Sequence, residues 1–178
     1  MHQLQREAES VKHEDLKAFL TAFAADRLAL LQRHETGARA VSHYDFNNTY
    51  QYVIAREETH LTWLQNALAE LDVPLPGPST TLPIPAAPKP SKKVDAATYR
   101  GILEDDVAHL RAFVDKWRER IPAVTHARHR TMLDVVLGET IEHQRFFEQA
   151  AAGFEDLLGR RTGGVPRVGA VLPTRWIE

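Results

Sequence analysis

Apolar side chains return every three or four residues through most of this chain, which is the spacing that places them on one face of an α-helix. Four such stretches can be separated, and no segment alternates convincingly between apolar and polar residues as a half-buried β-strand would. We predict helices at about residues 12–36, 43–71, 95–120 and 126–158, with a break after the first near Gly37. The chain is therefore predicted to be all-α.

A proline-rich stretch, residues 72–94, separates the second predicted helix from the third. Its prolines forbid a helix there, because each lacks a backbone N–H and clashes with the preceding turn. Some twenty residues at about 3.1 Å each can cover the roughly 40 Å length of such a helix. The short, long, short order of connections favours a four-helix bundle with a long crossover between helices two and three.

The composition fits one domain over residues 1–178, since 43% hydrophobic content in 178 residues can bury a real core. With 22 basic and 24 acidic residues the chain shows no electrostatic footprint for nucleic acid. Cysteine is absent, which excludes disulfides, zinc–cysteine sites, iron–sulfur clusters and thiol nucleophiles. Any metal must therefore be held by His, Asp and Glu.

The two ends of the chain give expectations about its cellular location and its oligomeric state. The first residues lack the apolar run of a signal peptide and no segment reaches the length of a membrane span, so we expect a cytoplasmic protein with no membrane partner. The irregular tail, residues 159–178, ends in the apolar-rich segment 171–178. We expect this segment to dock on the bundle or on a second subunit, and we prefer a homodimer over a monomer.

Three acidic residues interrupt the apolar faces of the predicted helices. Glu57, Asp106 and Glu139 each lie near the centre of an apolar stripe and at similar depth along the bundle. Burying an isolated carboxylate costs several kcal/mol, so three of them in one core require positive charge or protonation. A divalent or trivalent metal supplies that charge compactly.

Histidines share faces with two of these carboxylates, because His60 follows Glu57 by three residues and His143 follows Glu139 by four. His109 and Glu142 lie farther from the stripe centres and are interpreted as residues that orient metal ligands by hydrogen bonding. Other histidines lie toward predicted helix ends or turns and are interpreted as structural or surface residues: His34, His43, His126 and His129.

Arg27 offers an alternative interpretation of the charged core that requires no metal. It lies almost at the centre of the first apolar stripe, level with the three carboxylates. A guanidinium forms strong bidentate pairs with carboxylates, so Arg27 could neutralise Glu57, Asp106 and Glu139 in a buried structural network.

The pattern resembles the ferritin-like superfamily of di-iron carboxylate proteins, which includes bacterioferritins and rubrerythrins, over residues 12–158. That family takes a Glu-x-x-His pair from each of two helices and one carboxylate from each of the others. Residues 57–60, Glu-Glu-Thr-His, match the second-helix motif, whereas residues 139–143 place the fourth-helix histidine one position late. Asp106 replaces the usual glutamate, and Asp26 is the nearest acidic residue on the first helix.

The resemblance implies two irons per chain that react with dioxygen or peroxide, with zinc or manganese as alternatives to iron. The implied ligands are Glu57, His60, Asp106, Glu139, His143 and Asp26. It implies a metal-dependent oxidoreductase of ferroxidase, peroxidase or oxygenase type, without the cysteine-based electron entry of a rubrerythrin.

Two other functions stay open. One is a non-catalytic ferritin-like bundle whose core carboxylates are neutralised by Arg27. The other is a single zinc or nickel held by His60, His109 and His143, as in damage-inducible metal-dependent hydrolases, although it leaves the three carboxylates unassigned.

Overall fold

The computed structural model describes residues 2–86 and 96–160 of the chain. Within them it contains four α-helices and no β-strand, so the prediction of an all-α, four-helix bundle is confirmed. The helices are α1 (His2–Ala40), α2 (Tyr44–Ala69), α3 (Arg100–Arg118) and α4 (Ala127–Ala151). Short 3₁₀ turns occupy Ala96–Tyr99, Ile121–Ala123 and Leu157–Arg160.

Helix α1 continues to Ala40, past the break expected near Gly37. Gly37 lies inside the helix because Tyr50 of α2 packs directly against it: a Cβ atom at this position would lie 2.7 Å from Tyr50 Cε1. The glycine therefore permits close packing instead of ending the helix. The C-terminus of α1 is capped by Asn47 of α2. The side-chain amide of Asn47 donates to the carbonyls of Ala38 and Val41 over 2.7 and 2.9 Å.

Helix α4 ends at Ala151, seven residues before the predicted 158. Gly153 has φ 88°, a left-handed conformation that glycine adopts without strain. Its N–H donates to Ala150 O over 2.9 Å, and the N–H of Phe154 donates to Gln149 O over 3.0 Å. This pair of bonds is a Schellman motif, which satisfies the last carbonyls of the helix and stops it.

Contacts between α1 and α3 establish the direction of the helices. Phe19 packs against Trp117 with ring centroids 5.1 Å apart, whereas Arg33 binds Asp106 over 2.7 Å. Since numbers rise along α1 as they fall along α3, these helices are antiparallel. The short turn at residues 41–43 makes α1 antiparallel to α2 as well. Helices α2 and α3 therefore run in the same direction, and residues 70–99 connect them.

The described half of that connection, residues 70–86, lies along α1. The N–H of Ser79 donates to Ala25 O over 3.0 Å, and the Arg33 side chain donates to Pro83 O. Residues 87–95 and 161–178 lie outside the described residues. The last third of the predicted crossover, residues 87–94, and the predicted docking of segment 171–178 fall in these ranges.

The core between the helices is apolar at one end and charged in the middle. Phe23, Phe113 and Trp117 form an aromatic cluster with ring centroids 4.9 to 6.4 Å apart. Tyr50 and Phe147 pack 4.9 Å apart farther along the bundle. Among the described helices none is long and apolar enough to cross a membrane.

Gly37→Ala tests the close approach of α1 and α2. The added methyl would collide with Tyr50, which cannot retreat because Phe147 and the Asp106 carboxylate hold it. We expect a loss of about 1 to 3 kcal/mol in the free energy of unfolding, measured by urea titration. The matched control is Gly138→Ala on α4, where nothing lies within 4 Å. That change should stabilise the helix by about 0.5 to 1 kcal/mol, and equal effects at both positions would contradict this packing.

Candidate functional site in the bundle core

Charged and polar side chains from all four helices meet in the middle of the bundle. The following are each at most 1% exposed: Arg27, Arg33 and His34 of α1, Glu57 and His60 of α2, Asp106 of α3, and Thr140 and His143 of α4. An unpaired ion at this depth costs several kcal/mol, so the contacts of each charge decide what the site can do.

Glu57 is held by two side chains of α1. Arg27 Nη2 lies 3.4 Å from its Oε1, and His34 Nδ1 donates to its Oε2 over 2.9 Å. Burial alone would raise the pKa of Glu57, but His34 and Arg27 outweigh that effect and lower it. Glu57 is therefore an ionised carboxylate that is fully buried in the core.

Arg27 also ties α1 to α2 and α4. Its Nη1 donates to Thr140 Oγ1 over 3.0 Å, and its Nη2 lies 3.1 Å from His60 Nδ1. Its guanidinium carbon lies 5.4 Å from the centre of the Phe113 ring, within reach of a cation–π contact. Burial lowers the pKa of Arg27, and the carboxylates of Glu57 and Glu139 oppose that shift.

Asp106 has a different arginine. Arg33 Nε donates to its Oδ1 over 2.7 Å, and Arg33 Nη2 donates to the neighbouring Asp105 over 2.7 Å. The second oxygen of Asp106 accepts from the phenol of Tyr50. Burial and the Asp106 charge raise the pKa of Tyr50 well above its usual value, so the phenol stays protonated and donates. His34 Nε2 lies 3.8 Å from Asp106, beyond hydrogen-bond distance.

Glu139 is 24% exposed, so it lies nearer the surface than its predicted position at the centre of an apolar stripe, and it has a third arginine, Arg56, which is 32% exposed. Arg56 donates to both of its oxygens, from Nε over 2.9 Å and from Nη2 over 2.6 Å, and His60 Nε2 lies 2.8 Å away. Because Arg27 donates to His60 Nδ1, the imidazole proton must reside on Nε2, which donates to Glu139. Both nitrogens of His60 are thus engaged. Burial and Arg27 lower the pKa of His60 to about 4, so it is neutral at neutral pH.

His143 is the exception in this network. It is fully buried, and neither ring nitrogen has a hydrogen-bond partner among the described residues. Its ring stacks near that of His60, with centroids 6.2 Å apart, and meets the edge of Tyr52 at the same distance. Burial and Arg27 hold its pKa well below the usual range, so it is neutral. Glu57 Oε1 and His34 Nε2 also accept or donate no hydrogen bond within the described part of the chain.

A metal requires several ligands that converge on one point. Among residues 13–86 and 97–159, no group of three or more His, Asp or Glu side chains has a geometry that could hold a metal ion. Glu57, Asp106 and Glu139 each face a different arginine, and His60 has no free ring nitrogen. The residues in this arrangement do not fit a di-iron centre, and the metal assignment stays a prediction.

The remaining predicted site residues lie around this core. Asp26 faces the α1–α3 surface, where it accepts from Lys116 Nζ over 2.6 Å and from Trp117 Nε1 over 3.0 Å. His109 is half-buried, with Nε2 3.7 Å from Asp105, and Glu142 is half-buried on α4. Asp26 therefore does not join the three core carboxylates.

The structure adds three residues that the sequence analysis missed as partners. His34, interpreted above as a structural or surface residue near a helix end, is fully buried and binds Glu57. His34 follows Arg27 by seven residues, or two helical turns, and this spacing indicates that both side chains lie on the same inward face of α1. Arg33 and Arg56 sit beside the apolar stripes, and only their long side chains bring the guanidinium groups to Asp106 and Glu139.

Comparison with protein-family models, curated proteins and solved structures finds no match to this chain. Function must therefore be argued from the side chains of the bundle itself.

His60→Gln tests the protonation state of this core. Because the folded-state pKa of His60 lies near 4 and the unfolded value near 6.5, the unfolded state binds the proton first as the pH falls through this window. Stability is therefore complete above about pH 6.5 and falls toward pH 4. We expect the variant to lose about 2 kcal/mol less than the parent between pH 7 and pH 5, measured by urea unfolding.

The control is His13→Gln, an exposed histidine on α1, which should leave the acid-induced loss unchanged. An equal loss in the parent and in His60→Gln would contradict the neutral, doubly hydrogen-bonded His60.

Proposed function

We propose that this chain is a metal-independent, ferritin-like four-helix bundle whose charged core is a structural network, and that it acts as a binding or scaffold domain and not as an oxidoreductase. The observation that carries the proposal is that the two buried carboxylates, Glu57 and Asp106, and the partly exposed Glu139 each pair with a different arginine. Arg27 lies 3.4 Å from Glu57, Arg33 2.7 Å from Asp106 and Arg56 2.6 Å from Glu139.

The charge balance supports this reading. The three guanidinium groups match the three carboxylates, and His60 and His143 are neutral. Two divalent ions would add several positive charges to a set that is already compensated, and they would have to displace the arginines from Glu57 and Glu139. The electrostatic reason for recruiting a metal, three uncompensated carboxylates, is therefore removed.

The arrangement of the helices supports a ferritin-like architecture. Helices α2 and α3 run in the same direction, so their connection must travel the length of the bundle, as the one-crossover members of that class do. The Glu57-x-x-His60 pair lies in the core at mid-bundle. In our proposal the arginines replace the metal that these positions hold in the di-iron proteins.

A second candidate is the di-iron oxidoreductase, and His143 favours it. A fully buried imidazole with two unpartnered nitrogens is costly, and a metal ion would satisfy one of them. Glu57 Oε1 and His34 Nε2 are further buried atoms without a hydrogen bond. If bound, iron would supply chemistry with dioxygen or peroxide. Arg27 would first have to leave Glu57 and His60.

Metal content and His143→Leu separate the two candidates. We expect protein from iron-supplemented cells, purified without chelators, to contain well under one iron, zinc or manganese per chain by plasma mass spectrometry. Its unfolding midpoint should not change with EDTA or added ferrous iron. His143→Leu should keep or raise stability by about 1 kcal/mol, because it removes an unsatisfied polar group from the core.

About two irons per chain in the parent, lost in His143→Leu together with a metal-dependent part of the stability, would overturn the metal-independent proposal. His129→Leu is the matched control, because His129 is also buried without a hydrogen bond on its ring nitrogens but lies at the end of the bundle, with Nε2 3.7 Å from Glu70; it should leave the metal content of the parent unchanged.

A further inference from the structure

A cleft of about 180 Å³ lies between α1, α3 and the connection that follows α2. Its apolar wall is formed by Ala29 and Leu30 of α1, Ala112 and Phe113 of α3, and Leu82 of the connection. An apolar protein cavity of about 150 Å³ is large enough to bind benzene. The cleft therefore has room for one six-membered ring and a small substituent.

The wall of the cleft that is formed by the connection after α2 is fixed in place. Ser79 is bonded to α1 through its N–H and Ala25 O over 3.0 Å, and Pro83 O accepts from the buried side chain of Arg33. These two anchors stand on either side of Leu82 in the sequence. Because the wall is held before a ligand arrives, little conformational entropy is lost on binding.

The charges around the cleft argue for a neutral ligand. Lys116 Nζ is 2.6 Å from Asp26 Oδ2, and Asp26 also accepts from Trp117, so each charge of this pair is already engaged. Burial and Arg33 lower the pKa of His109, which leaves a neutral imidazole with one acceptor nitrogen. The described lining residues therefore offer no unpaired charge to an anionic or to a cationic ligand.

We propose that this cleft binds a neutral, monocyclic aromatic alcohol of the phenol class. The ring packs between Ala112 and Leu82 with the buried Phe113 at the base of the cleft, and the hydroxyl lies at the polar rim formed by His109, Ser79 and Thr80. Phe113 contacts the cleft and also lies 5.4 Å from the Arg27 guanidinium, so the site adjoins the charged core. The proposal does not depend on whether the core binds metal.

Binding of phenol to the full chain, followed by saturation-transfer NMR, tests the proposal. We expect a Kd on the order of 1 mM, since phenol has few atoms with which to gain affinity. Ala112→Leu should weaken binding at least about tenfold, because its larger side chain fills the cleft. Ala112 is exposed, so the change should leave the circular dichroism and unfolding midpoint unaltered.

Ala123→Leu is the matched control, because Ala123 is also exposed but lines a separate groove of about 230 Å³ with Leu16, Phe19 and Val124. It should leave the phenol Kd unchanged. His109→Leu should weaken phenol about two- to tenfold, the value of one neutral hydrogen bond, without weakening toluene. Benzoate and benzylamine should bind more weakly than phenol.

Absence of saturable phenol binding, equal affinity in the parent and Ala112→Leu, or an equal loss of phenol and toluene affinity in His109→Leu would each overturn the proposal.

Discussion

The desolvation of two carboxylates, Glu57 and Asp106, is the constraint around which this bundle is built. Each would cost several kcal/mol if it were buried alone, and each instead lies against a guanidinium from a neighbouring helix. Arg27 joins α1 to Glu57 of α2, Arg33 joins α1 to Asp106 of α3, and Arg56 joins α2 to Glu139 of α4. Sliding any of these helices by one turn would separate a pair. The ion pairs therefore specify register as well as neutralising charge.

The histidines complete this network in different ways. His34 binds Glu57 through Nδ1, and its Nε2 lies 3.8 Å from Asp106 without a hydrogen bond, whereas His60 bridges Arg27 and Glu139. The hydrogen bonds on both nitrogens of His60 leave it little freedom to become a metal ligand without a rearrangement of Arg27. Within the charged core His143 lacks a hydrogen bond on both ring nitrogens, whereas His34 lacks one on Nε2 only, so His143 is the residue that best separates a structural network from a metal centre.

Much of the fold follows from local pattern, because helical periodicity and a run of prolines are properties of short segments. The depth of Glu57 and Asp106 also follows from their position on an apolar stripe. The arginine partners of these carboxylates could not be predicted from local pattern. Arg33 and Arg56 lie off the stripes and reach the carboxylates only through long side chains whose direction depends on the neighbouring helix. His34 was misplaced because Gly37 looks like a helix end, whereas its missing side chain serves the contact with Tyr50.

A double-mutant cycle on Arg27 and Glu57 tests the central claim most directly. Arg27→Met, Glu57→Gln and the double variant would be unfolded in urea at pH 7, with the exposed Lys17–Glu14 pair as the reference. The account predicts a loss of about 3 to 5 kcal/mol for Arg27→Met, which strands a buried carboxylate, and a double variant at least about 2 kcal/mol more stable than additivity allows. The exposed pair should couple by less than about 1 kcal/mol. Additive losses at Arg27 and Glu57 would show that the two charges do not compensate each other.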